Sequence, residues 1–563
     1  MKEKSFYEER PWLKNYSSGV PAEIAIPLKS VGEAFDEATD KWKKKTAIVF
    51  YGRRITFREL REKVDRLATA LFHQGIRKGD RVAILLLNCP EFVFAFYGLI
   101  KLGAIAVPLS PIHNAVELKQ HLQDSGAKAI ICQDILYEEI EKTGSRFEIV
   151  ILTNITESLQ ITKKSANETV LREIYQNREI PSVSIFKQKG FYRLHDLFTE
   201  YSPDPPRIEI KPKEDLVSFC YTGGTTGMAK GATITHYSFV ACIIQFHPWF
   251  PFEDGKDVMV VYAPMYHIGG QTVVMGHGLI SGGTIVLLSN PKIDDILDAI
   301  TRYKVTFFTG LPTMYETLRN YKKTSKVDWK KIKFCTSALD AIHETTNNGW
   351  QSLTGHPLHQ IYGMTEAPGV IISPFGRAKN GSIGVPVTNV VAAIVDPEQN
   401  EFIPVGKIGE LAVYGPQVTL GYWNNPEATN HSKSLINGKW WFRTGDLGKM
   451  DKDGYFYLMG RKQDLIKYKG LRIHSSQVEE VLLRHPHIKE AGVIGVPDIK
   501  VGELVKAFIV LEKKFRGKFS KEEIIEYCQS ELAHYKVPKI IEFVDEIPKT
   551  RLGKISRRAL KEI

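Results

Sequence analysis

Between Thr56 and Asp124 the apolar positions alternate between two periods. Phe57 to Gln74 repeats apolar residues at helical spacing, and Arg81 to Leu87 is a short apolar run. Glu91 to Lys101 returns to the helical pattern, Ala104 to Pro108 reads as strand and Ala115 to Asp124 as helix. Gly79-Asp80 and Gly103 punctuate the series. Such alternation predicts an α/β fold with layered sheets. The stretch 159–206 is polar, rich in Lys, Ser and Asn and weakly periodic, and is expected to be a surface excursion. Within 383–457, runs such as Val390–Val395 and Gly409–Tyr414 lie between Gly and Pro turns, which predicts a β-rich subdomain.

Composition narrows the class. A chain of 563 residues, 43% hydrophobic and 25% charged, exceeds what one core sustains and predicts two or more domains. The charged start, Met1-Lys-Glu-Lys, lacks the pattern of a secretory signal. The apolar region Val82 to Leu109 is broken by Asn88, Pro90, Glu91 and Lys101, so no integral membrane segment is expected. Six cysteines without a Cys-x-x-Cys pair fit reduced thiols and a cytoplasmic setting. The net charge of +11 comes with no basic arm or nucleic-acid motif, so nucleic acid is not expected and smaller polyanions account for it. The tail 463–563 holds 20 Lys and Arg against 15 Asp and Glu, nearly half of the excess.

The sharpest local feature is Tyr221-Thr-Gly-Gly-Thr-Thr-Gly-Met-Ala-Lys-Gly231, which follows the apolar run Leu216–Cys220. Gly223, Gly224 and Gly227 let backbone N–H groups turn toward an anion. The hydroxyls of Thr222, Thr225 and Thr226 add donors and Lys230 adds a point charge, which together suit a polyphosphate. The chain contains neither Gly-x-x-x-x-Gly-Lys-Ser/Thr nor Gly-x-Gly-x-x-Gly, so neither a Walker loop nor a dinucleotide fingerprint is present.

Further motifs follow in order: Pro264-Met-Tyr-His-Ile268, Gln360-Ile-Tyr-Gly-Met-Thr-Glu366, Gly409-Glu-Leu411 with Gly421-Tyr-Trp423, Trp441-Phe-Arg-Thr-Gly-Asp446, Gly460–Gly470 and Pro548–Arg557. With the loop at 221–231 the set resembles the adenylate-forming superfamily of acyl-CoA synthetases, coumarate ligases, luciferase and peptide-synthetase adenylation domains, over nearly the whole chain. Trp12-Leu, Val150-Ile-Leu-Thr and Tyr221-Thr-Gly-Gly bring it nearest to fatty-acid:CoA ligases.

The resemblance implies an AMP-binding N-terminal domain, 1–462, and a small mobile α+β domain, 463–563, hinged near Gln463. It implies ATP and CoA as substrates and Mg²⁺ held by Thr222 and Glu366. Gln360, Tyr362, Gly363 and Thr365 would contact the nucleotide, Tyr362 by adenine stacking and Thr365 at the α-phosphate. Asp446 suits two ribose hydroxyls with Arg461 beside it, although a helix cap would also explain an Asp there. Lys554 would bridge the acid and the α-phosphate; outside its motif it would read as one more solvated lysine. Lys467, Lys469, Gly470 and Arg472 would serve CoA in the second step. His267 would line the acid pocket, although a lone histidine there also reads as a satisfied core residue.

Ser337-Ala-Leu-Asp-Ala-Ile342 departs from the family's pattern: Ala338 and Leu339 stand where glycines are expected, which narrows or redirects the acyl cavity. Gln463, Ala229 and Gln477 are milder departures. Aryl or short-chain acids, and an acyl-AMP ligase that loads a carrier protein, stay open as alternatives, as do a homodimer and peripheral membrane contact. A non-catalytic scaffold is disfavoured because Lys554, Glu366 and Asp446 are all present. A hydrolase or zinc enzyme lacks its motif, since His343-Glu-Thr-Thr-Asn347 misses the second histidine.

Overall fold

The computed structural model describes residues 6–159, 174–175, 180–221, 230–289, 291–338, 342, 344–469, 471–549 and 555–563. The chain divides into two compact units. The larger comprises Trp12–Val391 and Tyr414–Lys433, and the smaller comprises Met1–Pro11, Ala392–Val413 and Ser434–Ile563.

In the larger unit the expected series is present as helix Phe57–His73, strand Arg81–Leu85, helix Pro90–Lys101, strand Ile105–Pro108 and helix Ala115–Ser125. Local chemistry sets their ends. The Thr56 hydroxyl accepts the Glu59 N–H at 3.2 Å. Asn114 and Glu117 exchange reciprocal side-chain to backbone bonds of 3.0 Å, and that helix ends on Gly126 at φ 57°. Helix Pro90–Lys101 is buried from Pro90 through Ile100. Its 12 residues span about 18 Å, well short of a bilayer core of ~30 Å. Among the described residues no helix is long and apolar enough to cross a membrane.

Two sheets organise this unit. One runs Phe191–Arg193, Ile149–Thr153, Ala129–Gln133, Arg81–Leu85, Ile105–Pro108, Leu216–Tyr221, Gly231–Thr235, and only the last pair is antiparallel. The other has a parallel centre, Leu358–Met364, Phe334–Ala338, Phe307–Gly310, Val258–Val261, Thr284–Leu287 and Thr46–Phe50. Antiparallel strands Ala367–Ile372, Val385–Pro386 and Arg53–Thr56 flank it. Tyr221, Ala338 and the motifs at 264–268 and 360–366 lie at or just beyond the carboxyl ends of strands that pair in parallel, where open α/β sheets bind ligands. The polar stretch 159–206 does more than cover the surface. Phe191–Arg193 adds a parallel edge strand against Val150–Leu152, and Leu194 and Leu197 of the next helix are buried. A three-residue edge strand carries too little periodicity to stand out in sequence.

The smaller unit holds the expected β-rich segment: Val391–Val395, Gly409–Tyr414, Lys439–Met450 and Lys433–Ile436 in order, with Phe456–Arg461 also paired to Lys439–Met450. A second sheet runs Leu471–His474, Leu465–Tyr468, Gly502–Leu511, Ile488–Asp498, with Ile540–Phe543 parallel to Gly502–Leu511. Helices Ser475–Arg484 and Lys521–Glu531 bury Val478, Leu482, Ile524 and Cys528 in the core of that sheet.

His236 illustrates how the larger unit depends on pH. Its ring is fully buried and Nδ1 accepts the Val31 N–H at 3.2 Å, which requires that nitrogen to be unprotonated. Burial lowers its pKa from 6.5 to about 4. The unfolded chain therefore takes up this proton first as pH falls, and stability is lost between those two values. His236→Gln is expected to lose less stability than the parent between pH 7 and pH 5, by roughly 2 kcal/mol, as read by denaturant unfolding at the two pH values.

Candidate active site

Strand Leu216–Tyr221 delivers the chain to the threonine-glycine loop. The Tyr221 ring stacks on His121 at 4.3 Å and its hydroxyl donates to Asp124 at 2.7 Å, so the entry to the loop is held from both face and tip. Thr222, Gly223, Gly224, Thr225, Thr226 and Gly227 lie outside the described residues. At the exit Lys230 is exposed, its Nζ 5.3 Å from the centre of the Tyr422 ring.

The motif at 421–423 is explained by this edge. Thr233 N–H donates to the Gly421 carbonyl at 3.0 Å and Trp423 N–H to the Gly231 carbonyl at 2.8 Å. That pairing brings the Tyr422 hydroxyl to Glu366 Oε1 at 2.6 Å. Strands Leu358–Met364 and Ala367–Ile372 pair Met364 with Ala367, which leaves Thr365 and Glu366 as the two residues of the bend. Glu366 is buried, and its carbonyl accepts the Thr419 N–H at 2.7 Å. Gly363 is required by packing: a Cβ there would sit 2.2 Å from the Gly369 nitrogen. Tyr362 is buried, and Gln360 uses Oε1 to accept the Ile342 N–H at 3.0 Å. Leu339 lies outside the described residues.

His267 follows strand Val258–Val261 in a turn closed by its own N–H to the Pro264 carbonyl at 3.2 Å. Burial, aided by nearby His113, lowers its pKa to about 4, so near neutrality the imidazole is uncharged and suits an apolar or hydrogen-bonding wall. A buried π-helical turn, Gly270–Gly276, comes next. In it Gln271 Nε2 donates to the Tyr266 carbonyl at 3.4 Å, and Gln271 Oε1 accepts from Ser218 Oγ at 3.4 Å. One buried amide thus joins the histidine segment to the strand that enters the threonine-glycine loop.

In the smaller unit Asp446 and Arg461 face each other on paired strands, Nε to Oδ1 at 2.6 Å, so Asp446 is a strand residue and not a helix cap. The backbone before it is set by Glu410. This buried carboxylate accepts from Arg443 at 2.5 and 3.0 Å, from Lys462 at 3.2 Å and from the N–H of Gly445, which stands at φ 72°. The motif Gly409-Glu-Leu411 is legible in sequence, but its role as the anchor of the turn before Asp446 is not.

The terminal motif is framed on both sides. Lys549 and Ile555 form an isolated β-bridge, and Ser556 N–H donates to the Pro548 carbonyl at 2.8 Å. Arg557 grips Glu479 with two contacts of 2.7 Å and reaches Asp464 at 3.3 Å. Lys554 itself lies outside the described residues. In the hairpin Leu465–Tyr468 to Leu471–His474, Lys467 and Lys469 are exposed and Lys469 adopts φ 47°. Gly470 and the side chains of Arg472 and Gln463 are also outside the described residues.

Comparison with known proteins bears on the whole chain. The sequence model described as AMP-binding enzyme matches residues 35–423, and that of the AMP-binding enzyme C-terminal domain matches residues 477–554. A long-chain-fatty-acid–CoA ligase of Bacillus subtilis (strain 168) is 35% identical over 562 residues, and the protein of that name from Escherichia coli O6:H1 is 34% identical over 564 residues. Each comparison covers 98% of both chains. Among solved structures, ATP-bound MatB from Rhodopseudomonas palustris superposes with a TM-score of 0.81 at 27% identity, over 95% of this chain and 99% of that one.

The Arg557–Glu479 pair yields a direct test. Burial raises the Glu479 pKa and the Arg557 guanidinium opposes that shift. Arg557→Ala, by leaving this carboxylate uncompensated, is expected to lower the stability of the smaller unit by about 3 kcal/mol. Arg557→Lys, without the planar fork, should recover part of the loss, as followed by denaturant unfolding.

Proposed function

The chain belongs to the AMP-binding enzyme family and is an AMP-forming acid:CoA ligase that works through an acyl-adenylate; from that premise we propose that its acid is a medium- or long-chain fatty acid. The observation that carries this reading is the similarity, over 98% of both chains, to two ligases named for long-chain fatty acids.

In the first step a carboxylate oxygen attacks the α-phosphorus of ATP, the acyl–phosphate bond forms and pyrophosphate leaves. In the second the CoA sulfur attacks the acyl carbon and AMP leaves. The first step brings two anions together, so cations and aimed donors must offset their repulsion. The residues 222–227 with Lys230 are proposed to cradle the polyphosphate, and Gln360, Tyr362, Gly363 and Thr365 to hold base and α-phosphate. Asp446 and Arg461 are proposed to bind the ribose.

A Mg²⁺ ion takes hard oxygen ligands and keeps several waters. Glu366 fits that demand as a buried carboxylate oriented by the Tyr422 hydroxyl. Glu366 and Thr222 would hold the ion, and when bound it would neutralise phosphate charge.

His267, Ala338 and Leu339 are proposed to border the acid. Lys554 would serve adenylation, and Lys467, Lys469, Gly470 and Arg472 thioester formation, with residues 463–563 exchanging the two sets by turning near Gln463. Ala338 and Leu339, standing where glycines are expected, favour a second reading in which the acid is aromatic or short. The buried, unlinked cysteines support a cytoplasmic setting.

Pyrophosphate and AMP release with Mg-ATP and CoA, measured across acids from acetate through palmitate to coumarate, is expected to peak on a fatty acid. A peak on short or aromatic acids would select the second reading, and adenylate accumulation indifferent to CoA would select a carrier-protein acceptor. Lys554→Ala is expected to abolish adenylate formation while thioester formation from supplied acyl-adenylate stays largely intact. Equal loss of both half-reactions would remove the assignment of Lys554.

A further inference from the structure

Asn88 lies in the bend between strand Arg81–Leu85 and helix Pro90–Lys101, so it belongs to the seven-stranded sheet. Its side chain is spent on the other sheet. Nδ2 donates to the Ala263 carbonyl at 3.0 Å and Oδ1 accepts the Met265 N–H at 2.9 Å, both partners standing in the segment that follows strand Val258–Val261. One amide thus satisfies a backbone acceptor and a backbone donor two residues apart, as a neighbouring strand would. The Asn88 carbonyl accepts the Ser289 hydroxyl, and Ser289 is fixed in turn by Tyr51, whose hydroxyl donates to the Ser289 carbonyl at 3.0 Å and accepts its N–H at 3.1 Å. Asn88 is 7% exposed and Met265 fully buried, so water offers no easy substitute for these bonds.

The clamped segment carries His267. The N–H of His267 closes a turn on the Pro264 carbonyl, so a shift of Ala263–Met265 moves the imidazole with it. We propose that Asn88 is a positioning residue for the acid: by stapling Ala263 and Met265 to the neighbouring sheet it fixes His267 against the acyl group and so sets acid affinity. The proposal rests on the reading of His267 as an acid-pocket residue. Among the described residues the hydrogen-bond partners of Asn88 are Ala263, Met265 and Ser289, none of them assigned to ATP, so its loss should divide the two substrates.

Asn88→Ala is expected to raise the KM for the preferred fatty acid roughly tenfold, the worth of one or two buried hydrogen bonds, and to leave the KM for ATP unchanged. The double variant with His267→Ala should lose far less than the product of the single losses, because both act through one imidazole. An equal rise in both KM values, or an unchanged acid KM, would overturn the proposal. His267→Ala separates the two ideas: if it leaves the acid KM alone the acid-pocket reading fails, and if it raises that KM while Asn88→Ala does not, only the Asn88 inference fails. Should Asn88→Ala not fold, amide hydrogen exchange of the unmodified full chain decides. Met265 N–H is expected to exchange as slowly as the central strands, and fast exchange there counts against the staple.

Discussion

A carboxylate withdrawn from water must be met by donors or cations, and three such groups organise this protein. Glu366, Glu410 and Glu479 are 5%, 3% and 7% exposed. Each belongs to or grips a chemical motif: Glu366 ends Gln360–Glu366, Glu410 sets the turn before Asp446, and Glu479 holds Arg557 of the terminal motif. Leaving one buried charge unmatched would cost several kcal/mol, so the partners Tyr422, Arg443, Lys462 and Arg557 are as necessary to the fold as the core. The requirement that stabilises the chain is the one that orients its functional segments.

The same logic governs the two segments assigned to phosphate chemistry. The loop after Tyr221 is entered beneath a stacked and hydrogen-bonded tyrosine and left along a strand edge paired with residues 421–423. The segment with Lys554 lies between Lys549 and Ile555, which bridge to one another. In both cases the residues that flank the stretch are fixed by their own contacts.

Helix and strand positions in the first sheet were legible because helices of 11 to 17 residues and fully buried strands write their period into the sequence. The candidate site was legible where its chemistry is local: threonines and glycines in one stretch of sequence, Thr365 beside Glu366, Asp446 after a glycine. What escaped is non-local. Asn88 meets Met265 across 177 residues and Ala263 across 175, and Tyr422 meets Glu366 across 56. Asn88, two residues before Pro90, reads as turn chemistry, and nothing in its neighbours marks which backbone it will clamp. Edge strand Phe191–Arg193 escaped for a different reason, since three residues in a polar stretch cannot display a period.

The departure at Ala338 can now be interpreted physically. Ala338 closes the regular strand Phe334–Ala338 and pairs in register with Ile361, and its backbone is not among those in the left-handed region. A glycine at this position would therefore not be needed for conformation; what alanine takes is space at the carboxyl edge of the sheet. A methyl group there removes volume and adds apolar surface without disturbing the strand, and the Gln360 amide still accepts the Ile342 N–H. On the proposed placement of Ala338 beside the acid, the substitution acts on the shape of that site. On that proposal it bears on which acid is accepted more than on whether one is activated.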